Sequence, residues 1–351
     1  MTSPATPGPA TSRPATPGSF AEIRALIATL PGPDLAARDA ARAREPQLTK
    51  PPGALGRLET IAEWLAAWQG RHPPAVEHPR VAVFAGNHGI AALGVSAYPS
   101  SVTEQMVKNF VAGGAAVNQI CKTVDADLRV YEMALDRPTE DFTRAEALGE
   151  AACVRALAYG MMAVEPGVDL LCIGEMGIAN TTSASALALA LYGGEAADWV
   201  GPGTGVAGDQ LARKRDVVAA GVALHKKHLA DPLAALACLG GHEIAGMIGA
   251  VIAARLARVP VLLDGFTSTV AGAVLETLQP GLLDHCIIGH LSQEPAHVRV
   301  CRRLDKTPLL DLSMRLGEGS GAALAIGIVR AAAACHSGMA TFADAGVDNK
   351  K

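Results

Sequence analysis

The stretch Leu309–Ala323 places one carboxylate, Glu318, between glycines, after an apolar run and before a helix predicted over Ala322–Ala334. The glycines at positions 317, 319 and 321 permit backbone conformations that are closed to other residues and let a ligand approach the main chain. The N–H groups at the start of the predicted helix favour an anionic or electron-rich ligand. Spacing alone leaves two roles open for Glu318: an acid that acts on a ligand, or a turn residue that caps the helix.

A second loop with polar side chains follows the apolar run Leu170–Ile173 and carries Glu175, Gly177, Asn180 and Thr181. The amide and hydroxyl groups are typical of helix caps, and they are equally suited to hold ribose hydroxyls or a phosphate. A carboxylate at a strand end is hard to explain as core. It could accept hydrogen bonds from a ribose or stabilise a developing positive charge.

A third loop, Gly203–Gly208, matches the dinucleotide-binding pattern GxGxxG, which is a weak signal by itself. The preceding stretch, Tyr192–Val200, does not look like a buried strand, so the required context is missing. The loop could still cradle a phosphate with its N–H groups at the start of the helix predicted over Asp209–Leu229. Lys214 could add a positive charge, and a solvated basic face at Arg213–Arg215 is the other interpretation.

Two further groups of residues invite weaker interpretations. Tyr98 and Pro99 could wall a flat aromatic ligand, and Gln105 could bond to its polar edge, although ordinary loop packing is the alternative. The histidines at positions 88, 242, 290 and 297 match neither zinc-ligand spacing nor a nucleophile elbow, so we interpret them as hydrogen-bonded structural residues. We expect no metal site and no cofactor.

Composition narrows the class of protein. With 351 residues, of which 50% are hydrophobic, the chain can bury one large core or one core with a satellite domain. A formal charge of −4 argues against a nucleic-acid partner, since such binding needs clustered Lys and Arg. Seven scattered cysteines indicate a reducing compartment, and neither a signal peptide nor an uncharged membrane-length stretch is evident, so we expect a cytoplasmic protein without a membrane partner.

The element pattern predicts an α/β fold. Short apolar runs that alternate with helical stretches indicate a parallel sheet covered on both faces, with ligands beyond the carboxyl ends of the strands. The predicted strands are Val81–Ala85, Leu128–Met133, Leu170–Ile173, Val259–Leu263 and Cys286–Ile288. The run Leu309–Leu312, which leads towards Glu318, is counted as a further strand end. We predict a disordered Pro/Thr-rich tail over 1–19, an N-terminal helical segment over 20–79, a catalytic α/β domain over 80–334 and a C-terminal tail over 335–351.

Taken in order, nine segments resemble the nicotinate-nucleotide:dimethylbenzimidazole phosphoribosyltransferase family of cobalamin lower-ligand biosynthesis. Together they cover nearly everything from Lys50 to Ala334, and they are Lys50–Glu59, Phe84–Ile90, Gly94–Val107, Gly174–Leu187, Gly201–Val206, Leu239–Ala250, Leu262–Ala271, Gly289–His297 and Leu309–Ala325. The resemblance implies a homodimer with a Rossmann-like parallel sheet flanked by helices, and a smaller helical domain built from chain-terminal segments. One departure is Asn87, where many relatives carry Asp.

The resemblance also implies residue roles. Glu318 corresponds to the general base that takes the benzimidazole proton. The other ring nitrogen then attacks C1′ of nicotinate mononucleotide with inversion. Glu175 corresponds to a second acid of the active site. The phosphoribosyl group is expected near Gly177, Thr204, Lys214 and Ser292, and we place Asn180, Thr181, Gly203 and Gly205 with them. The base is expected near Tyr98, Gln105 and Leu316.

Three alternatives stay open. The first is another acceptor base, adenine or a phenol, because the size of the pocket and one hydrogen-bond partner decide which base is accepted. A second alternative is an NAD(P)-dependent oxidoreductase that uses Gly203–Gly208, and a third is a non-catalytic nucleotide-binding protein.

Overall fold

The computed structural model describes residues 17–348. Residues 1–16, which include most of the tail predicted over 1–19, and residues 349–351, the end of the tail predicted over 335–351, lie outside the described part of the chain.

The described residues contain one sheet whose five strands are all parallel. They are β1 (Pro79–Ala85), β2 (Asp127–Glu132), β3 (Leu170–Met176), β4 (Val261–Leu263) and β5 (Cys286–Ile288). The spatial order is β2-β1-β3-β4-β5, so the chain moves outwards in opposite directions on the two sides of β1. This doubly wound order confirms the predicted α/β fold with a Rossmann-like sheet and brings the carboxyl ends of the strands to one edge.

Helices cover the sheet, and fifteen α-helices lie within residues 17–348. They are α1 (Phe20–Ile27), α2 (Leu35–Arg44), α3 (Arg57–Gln69), α4 (Ser101–Ala112), α5 (Ala116–Thr123), α6 (Glu150–Gly160), α7 (Asn180–Tyr192), α8 (Ala196–Trp199), α9 (Gly208–His225), α10 (Pro232–Leu239), α11 (His242–Leu256), α12 (Phe266–Leu278), α13 (His297–Arg303), α14 (Ser320–Gly338) and α15 (Phe342–Ala345). Short 3₁₀ segments occur at Glu45–Gln47, Gly89–Leu93 and Met161–Ala163.

Alternation along the strands divides the core into two layers. Ala82 and Phe84 of β1 pack with α6, α7, α11 and α12, whereas Val81 and Val83 pack with α3, α5 and α14 on the opposite face. Because successive side chains of a strand point to opposite faces, a continuous apolar run is what a sheet buried on both sides requires. The sheet is therefore the middle layer of three.

The N-terminal helices and α14 pack together, as expected for a smaller helical unit. α2 packs on α3, and α3 packs on α14. By length and composition α14 is the one helix among residues 17–348 that could cross a membrane, and half of its apolar window is buried inside the fold. The domain boundaries at 19, 79 and 334 stay predictions, although α14 runs through the last of them to Gly338.

One element differs from its prediction. The run Leu309–Leu312 forms no strand; it makes a single bridge in which Leu310 pairs with His290. The run is polar beyond this point and exposed, so it cannot be covered on both faces as the five strands are. It instead leads the chain along the sheet edge towards Glu318.

Candidate active site

A cavity of about 460 Å³ opens beyond the carboxyl ends of β3, β4 and β5. Its lining combines exposed glycine backbone, hydroxyl groups, two carboxylates, one guanidinium and one phenyl ring: Tyr98, Glu175, Met176, Gly177, Ile178, Asn180, Thr181, Gly203, Thr204, Gly265, Phe266, Thr267, His290, Ser292, Glu294, Arg315, Leu316 and Gly317. Loops that are far apart in sequence meet here because parallel strands end at the same edge.

Nine of the residues selected from the sequence line this cavity. They are Tyr98, Glu175, Gly177, Asn180, Thr181, Gly203, Thr204, Ser292 and Leu316. Glu318 lies next to the lining residue Gly317, and Lys214 lies beneath the Gly203 loop. Gly205 does not line the cavity, and Gln105 is exposed on α4, away from the lining.

Glu318 is held in an unusual backbone conformation. Its φ is +64°, and the flanking Gly317 and Gly319 have φ of +83° and +79°, so three successive residues are left-handed. Non-glycine residues rarely adopt this region. The Glu318 N–H donates to the Glu175 carbonyl at 3.1 Å, and the side chain is 5% exposed. Burial, together with the nearby Asp264 carboxylate, raises the pKa of Glu318 to about 7.

Glu175 stands on the other side of Gly317. It is the penultimate residue of β3, and its carboxylate accepts a hydrogen bond from the Asn180 amide. A Cβ on Gly317 would come within 2.6 Å of Glu175 Oε1, so only glycine lets the loop pass so close to this acid. Burial raises the pKa of Glu175 to about 8, and the carboxylates of Asp264, Glu243 and Glu318 add to the effect.

Asp264 is a residue that the sequence reasoning did not select. It follows β4, is 1% exposed, and accepts hydrogen bonds from the N–H groups of Gly319 at 3.2 Å and Ala322 at 2.8 Å. Burial raises its pKa, and the backbone hydrogen bonds oppose the rise. The only signal in the sequence is an acid directly after a buried strand.

The Gly203 loop is braced from two sides. Glu294 accepts the Gly203 N–H at 2.6 Å, while the ammonium of Lys214 donates to Thr181 Oγ1 at 2.9 Å and to the Gly201 carbonyl at 3.0 Å. Lys214 is 1% exposed, so the interpretation of a solvated face is wrong for this residue. Burial lowers the pKa of Lys214 to about 8. The glycine loop is therefore anchored, with a positive charge directly beneath it.

The dinucleotide-binding interpretation of Gly203–Gly208 lacks its structural context. The loop follows the short helix α8, whereas a Rossmann fingerprint follows a strand. Thr204 Oγ1 accepts the Ala97 N–H at 3.1 Å and lies 3.0 Å from Ser96 Oγ, so its hydroxyl holds the neighbouring loop in place.

At the mouth of the cavity the side chains are apolar and accessible. Tyr98 is 55% exposed and Leu316 is 56% exposed. Arg315, which the sequence reasoning did not select, donates to the Gly203 carbonyl at 3.4 Å across the mouth. Deeper in the site, the Ser292 N–H donates to His297 Nδ1 at 2.8 Å.

The four histidines have different roles. His88 is buried between Glu243 Oε1, at 2.7 Å from Nε2, and Ser183 Oγ, at 3.0 Å from Nδ1, and His297 bonds to Thr269 as well as to Ser292. His242 lines a separate cavity of about 770 Å³.

His290 departs from the structural interpretation. It lines the active-site cavity, and within residues 17–348 neither ring nitrogen has a hydrogen-bond partner; Nε2 lies 3.6 Å from Asp264 Oδ1.

The distribution of charge suits a ligand with two unlike ends. Lys214 and Arg315 flank the Gly203 loop, where an anionic group would be stabilised. Glu175 and Glu318 flank Gly317, where carboxylates of raised pKa are suited to take up a proton or to face a positive charge.

Comparison with known proteins defines the class. A family model described as "Phosphoribosyltransferase" matches residues 30–347, which include the whole cavity lining. Fold and site together are those of a phosphoribosyltransferase.

The similar proteins agree on the reaction named. The chain is 62% identical over 331 residues to the nicotinate-nucleotide–dimethylbenzimidazole phosphoribosyltransferase of Sinorhizobium medicae, covering 94% of this chain and 98% of that protein. It is 61% identical over 332 residues to the protein of the same name from Rhizobium meliloti, covering 95% and 98%. A crystal structure of the enzyme of that name from Thermus thermophilus superposes with a TM-score of 0.84 at 40% identity, covering 90% of this chain and 100% of that one. The chain belongs to the nicotinate-nucleotide–dimethylbenzimidazole phosphoribosyltransferase family.

Proposed function

We propose that this enzyme transfers the phosphoribosyl group of nicotinate mononucleotide to 5,6-dimethylbenzimidazole. The products are α-ribazole 5′-phosphate and nicotinate, and the step belongs to the assembly of the nucleotide loop of cobalamin. The observation that carries the proposal is the position of Glu318, a buried acid of raised pKa beside a cavity edged by glycine, in a chain 62% identical to a protein named for this reaction.

The chemistry of the donor fits the two acids. Nicotinate attached through its ring nitrogen is a cation and an already activated leaving group, so it needs no proton from the enzyme. The catalytic tasks are to position the two substrates, to stabilise the oxocarbenium character at C1′ and to remove one proton from the incoming base. Glu175 lies beside the ribose end of the cavity, where its carboxyl group in the ionised form faces the positive charge of the first two tasks. Glu318 acts as the general base, and attack opposite the departing pyridine converts the β anomer into the α anomer.

The donor phosphate is assigned to the opposite end of the cavity. Lys214 supplies positive charge beneath the Gly203 loop, and Gly177, Thr181 and Ser292 supply backbone and hydroxyl groups around it. The N–H of Gly203 is taken by Glu294, so this loop contributes through its shape and through Lys214 more than through that donor.

The flat acceptor base is assigned to the mouth of the cavity, between Tyr98 and Leu316. Both side chains are apolar over most of their surface and more than half exposed, which supports their use as walls for an aromatic ring. The role proposed for Gln105 requires its amide to reach this ring from α4.

The test is an assay of the purified enzyme with nicotinate mononucleotide and a panel of bases, with the products separated by chromatography. We expect dimethylbenzimidazole to give an α-linked ribotide and one equivalent of nicotinate. Preference for adenine or a phenol would keep the chemistry and change the acceptor. Saturable binding of NADH without release of nicotinate would favour an oxidoreductase, and absence of any turnover would favour a non-catalytic nucleotide-binding protein.

The assembly and the location complete the proposal. A homodimer is supported by large apolar side chains that are more than half exposed: Tyr98 and Leu316 at the mouth, and Leu312, four positions before Leu316 in the chain. A cytoplasmic location is supported by the seven free cysteines, of which six are buried. We propose no nucleic-acid or membrane partner.

A further inference from the structure

Asp264 occupies an uncommon position at the start of α14. The N-cap residue of this helix is Gly319, which has no side chain that could cap the first turn. Asp264 reaches across from the end of β4 and accepts the N–H of the N-cap, Gly319, through Oδ2 and that of the third helical residue, Ala322, through Oδ1. In a capping box two side chains of the helix share these tasks. Here one carboxylate from another element performs both.

The residue before this clamp is Glu318. Its positive φ is costly for a side chain with a Cβ, so the surrounding contacts have to hold it there. Two backbone contacts do so: the Glu318 N–H donates to the carbonyl of Glu175, and the next N–H, that of Gly319, donates to Asp264. Glu318 is thus fixed between β3 on one side and β4 on the other.

The main chain of the loop packs closely against the sheet. A Cβ on Gly174 would come within 2.1 Å of the Gly319 nitrogen, and one on Gly319 within 3.0 Å of Val81 Cγ1. Because the main chain of the loop rests directly on β3 and β1, its direction is set by where the Gly319 N–H is held. The acceptor that holds it is Asp264.

Asp264 also contributes charge. Its carboxylate raises the pKa of Glu318, in addition to the larger effect of burial, and it raises the pKa of Glu175 as well. The titratable groups that face this carboxylate are Cys172 and Glu175 from β3, Glu318 from the loop and His290, which follows β5. Removing the charge of Asp264 would therefore ease the ionisation of both glutamates.

We infer that Asp264, which itself lies outside the cavity lining, is a positioning residue of the phosphoribosyl transfer that sets the orientation of Glu318 and adds negative charge to its surroundings. The inference rests on the proposed function. It assigns to Asp264 an effect on turnover through Glu318, and no contact with either substrate.

The experiment compares Asp264→Asn with Asp34→Asn. Asp34 caps α2 by accepting the Ala37 N–H at 2.9 Å, far from the cavity, so its variant loses a cap of the same chemistry. With nicotinate mononucleotide and dimethylbenzimidazole, we expect Asp264→Asn to lower kcat by about 10²-fold, the scale of a misplaced catalytic group, with KM for both substrates within about threefold. We expect Asp34→Asn to retain wild-type kcat.

Two further readouts separate positioning from a general loss of structure. In the Glu318→Gln background, Asp264→Asn should cause little additional loss of kcat, because residues that act as one unit are not additive. In the wild-type background, the acid limb of the pH profile of kcat should move to lower pH, since a negative neighbour has been removed. Additive losses, an unmoved limb, or an Asp264→Asn protein that does not fold would each overturn the inference in favour of a purely structural role.

Amide hydrogen exchange tests the clamp without turnover. Asp264→Asn should speed exchange over residues 317–323 and leave the rest of α14 unchanged, whereas unaltered exchange there would overturn the inference. Wild-type turnover of the two substrates is measured first. Its absence would contradict the proposed function, while the exchange result would still decide whether Asp264 holds the loop.

Discussion

At the scale of single residues, the site is defined by acids with few hydrogen-bond partners. Among the hydrogen bonds of residues 17–348, none is accepted by the Glu318 carboxylate, and Glu175 accepts one only from the Asn180 amide. Acids that serve structure alone are usually paired, as Glu276 is with the N–H groups of Gly281 and Leu283. The lack of a partner and the raised pKa are typical of a group poised for proton transfer.

We expect Glu318→Gln to keep the fold and substrate binding and to lower kcat by about 10²- to 10⁴-fold, because the amide cannot take the proton of the base. The measurement is steady-state kinetics with both substrates, with Glu276→Gln as a matched control that should keep wild-type kcat. A Glu318→Gln enzyme with near-normal kcat would show that the base loses its proton by another route.

The same substitution should raise stability at neutral and higher pH. The pKa of Glu318 is raised from its usual 4.5 to about 7, so the folded state holds a proton that the unfolded state has lost between these values. Stability is therefore present at low pH and falls as pH rises through this window, by about 3 kcal/mol once both states are ionised. Thermal melts should show Glu318→Gln equal to the wild type near pH 4 and more stable above pH 7. Equal melting temperatures at pH 8 would contradict this.

The residues that the sequence could reveal are those whose local surroundings are unusual. Glu318 and Glu175 stand out because an acid next to glycine and an apolar run has no obvious packing role. Asp264 and His290 stand out only in three dimensions: the partners of Asp264 lie more than fifty positions away at Gly319 and Ala322, and no pattern in one sequence connects them. Gln105 is the opposite case: its amide suits a hydrogen bond to a base, but the side chain is exposed on α4 and does not line the cavity.

At the scale of elements, the contact between β3 and the start of α14 decides where the acids meet. Gly174→Ala should abolish activity and lower the melting temperature by several degrees, since its Cβ would fall 2.1 Å from the Gly319 nitrogen. Gly327→Ala, within α14 and with no atom in reach, should instead stabilise the protein by about 0.5–1 kcal/mol. Circular dichroism melts and turnover of both variants check this, and a soluble, active Gly174→Ala enzyme would contradict the packing argument.

The elements themselves follow closely from the sequence. Apolar runs predicted five strands, and β5 begins and ends at the predicted residues. The run Leu309–Leu312 was the exception, because apolar composition alone does not tell a buried strand from an edge segment with exposed neighbours.

At the scale of the whole molecule, the mouth of the cavity leaves apolar surface exposed. Tyr98 and Leu316 line the mouth and are 55% and 56% exposed, and Leu312, four positions before Leu316 in the chain, is 56% exposed. We expect a second copy of the chain to cover part of this surface, giving a sedimenting mass twice the 35.9 kDa of one chain. Sedimentation velocity at micromolar concentration checks this. A monomer that turns over at the full rate would show that the mouth is occupied by substrate alone.

The path of α14 has a mechanical consequence. Its nineteen residues span about 28 Å, with Glu318 two positions before its first residue, Ser320, and with α3 packed against it. A helix is a stiff element, so the packing of α3 against α14 helps to fix the place at which Glu318 meets its substrates. We therefore expect substitutions in the contact between α3 and α14 to change turnover from a place outside the cavity lining.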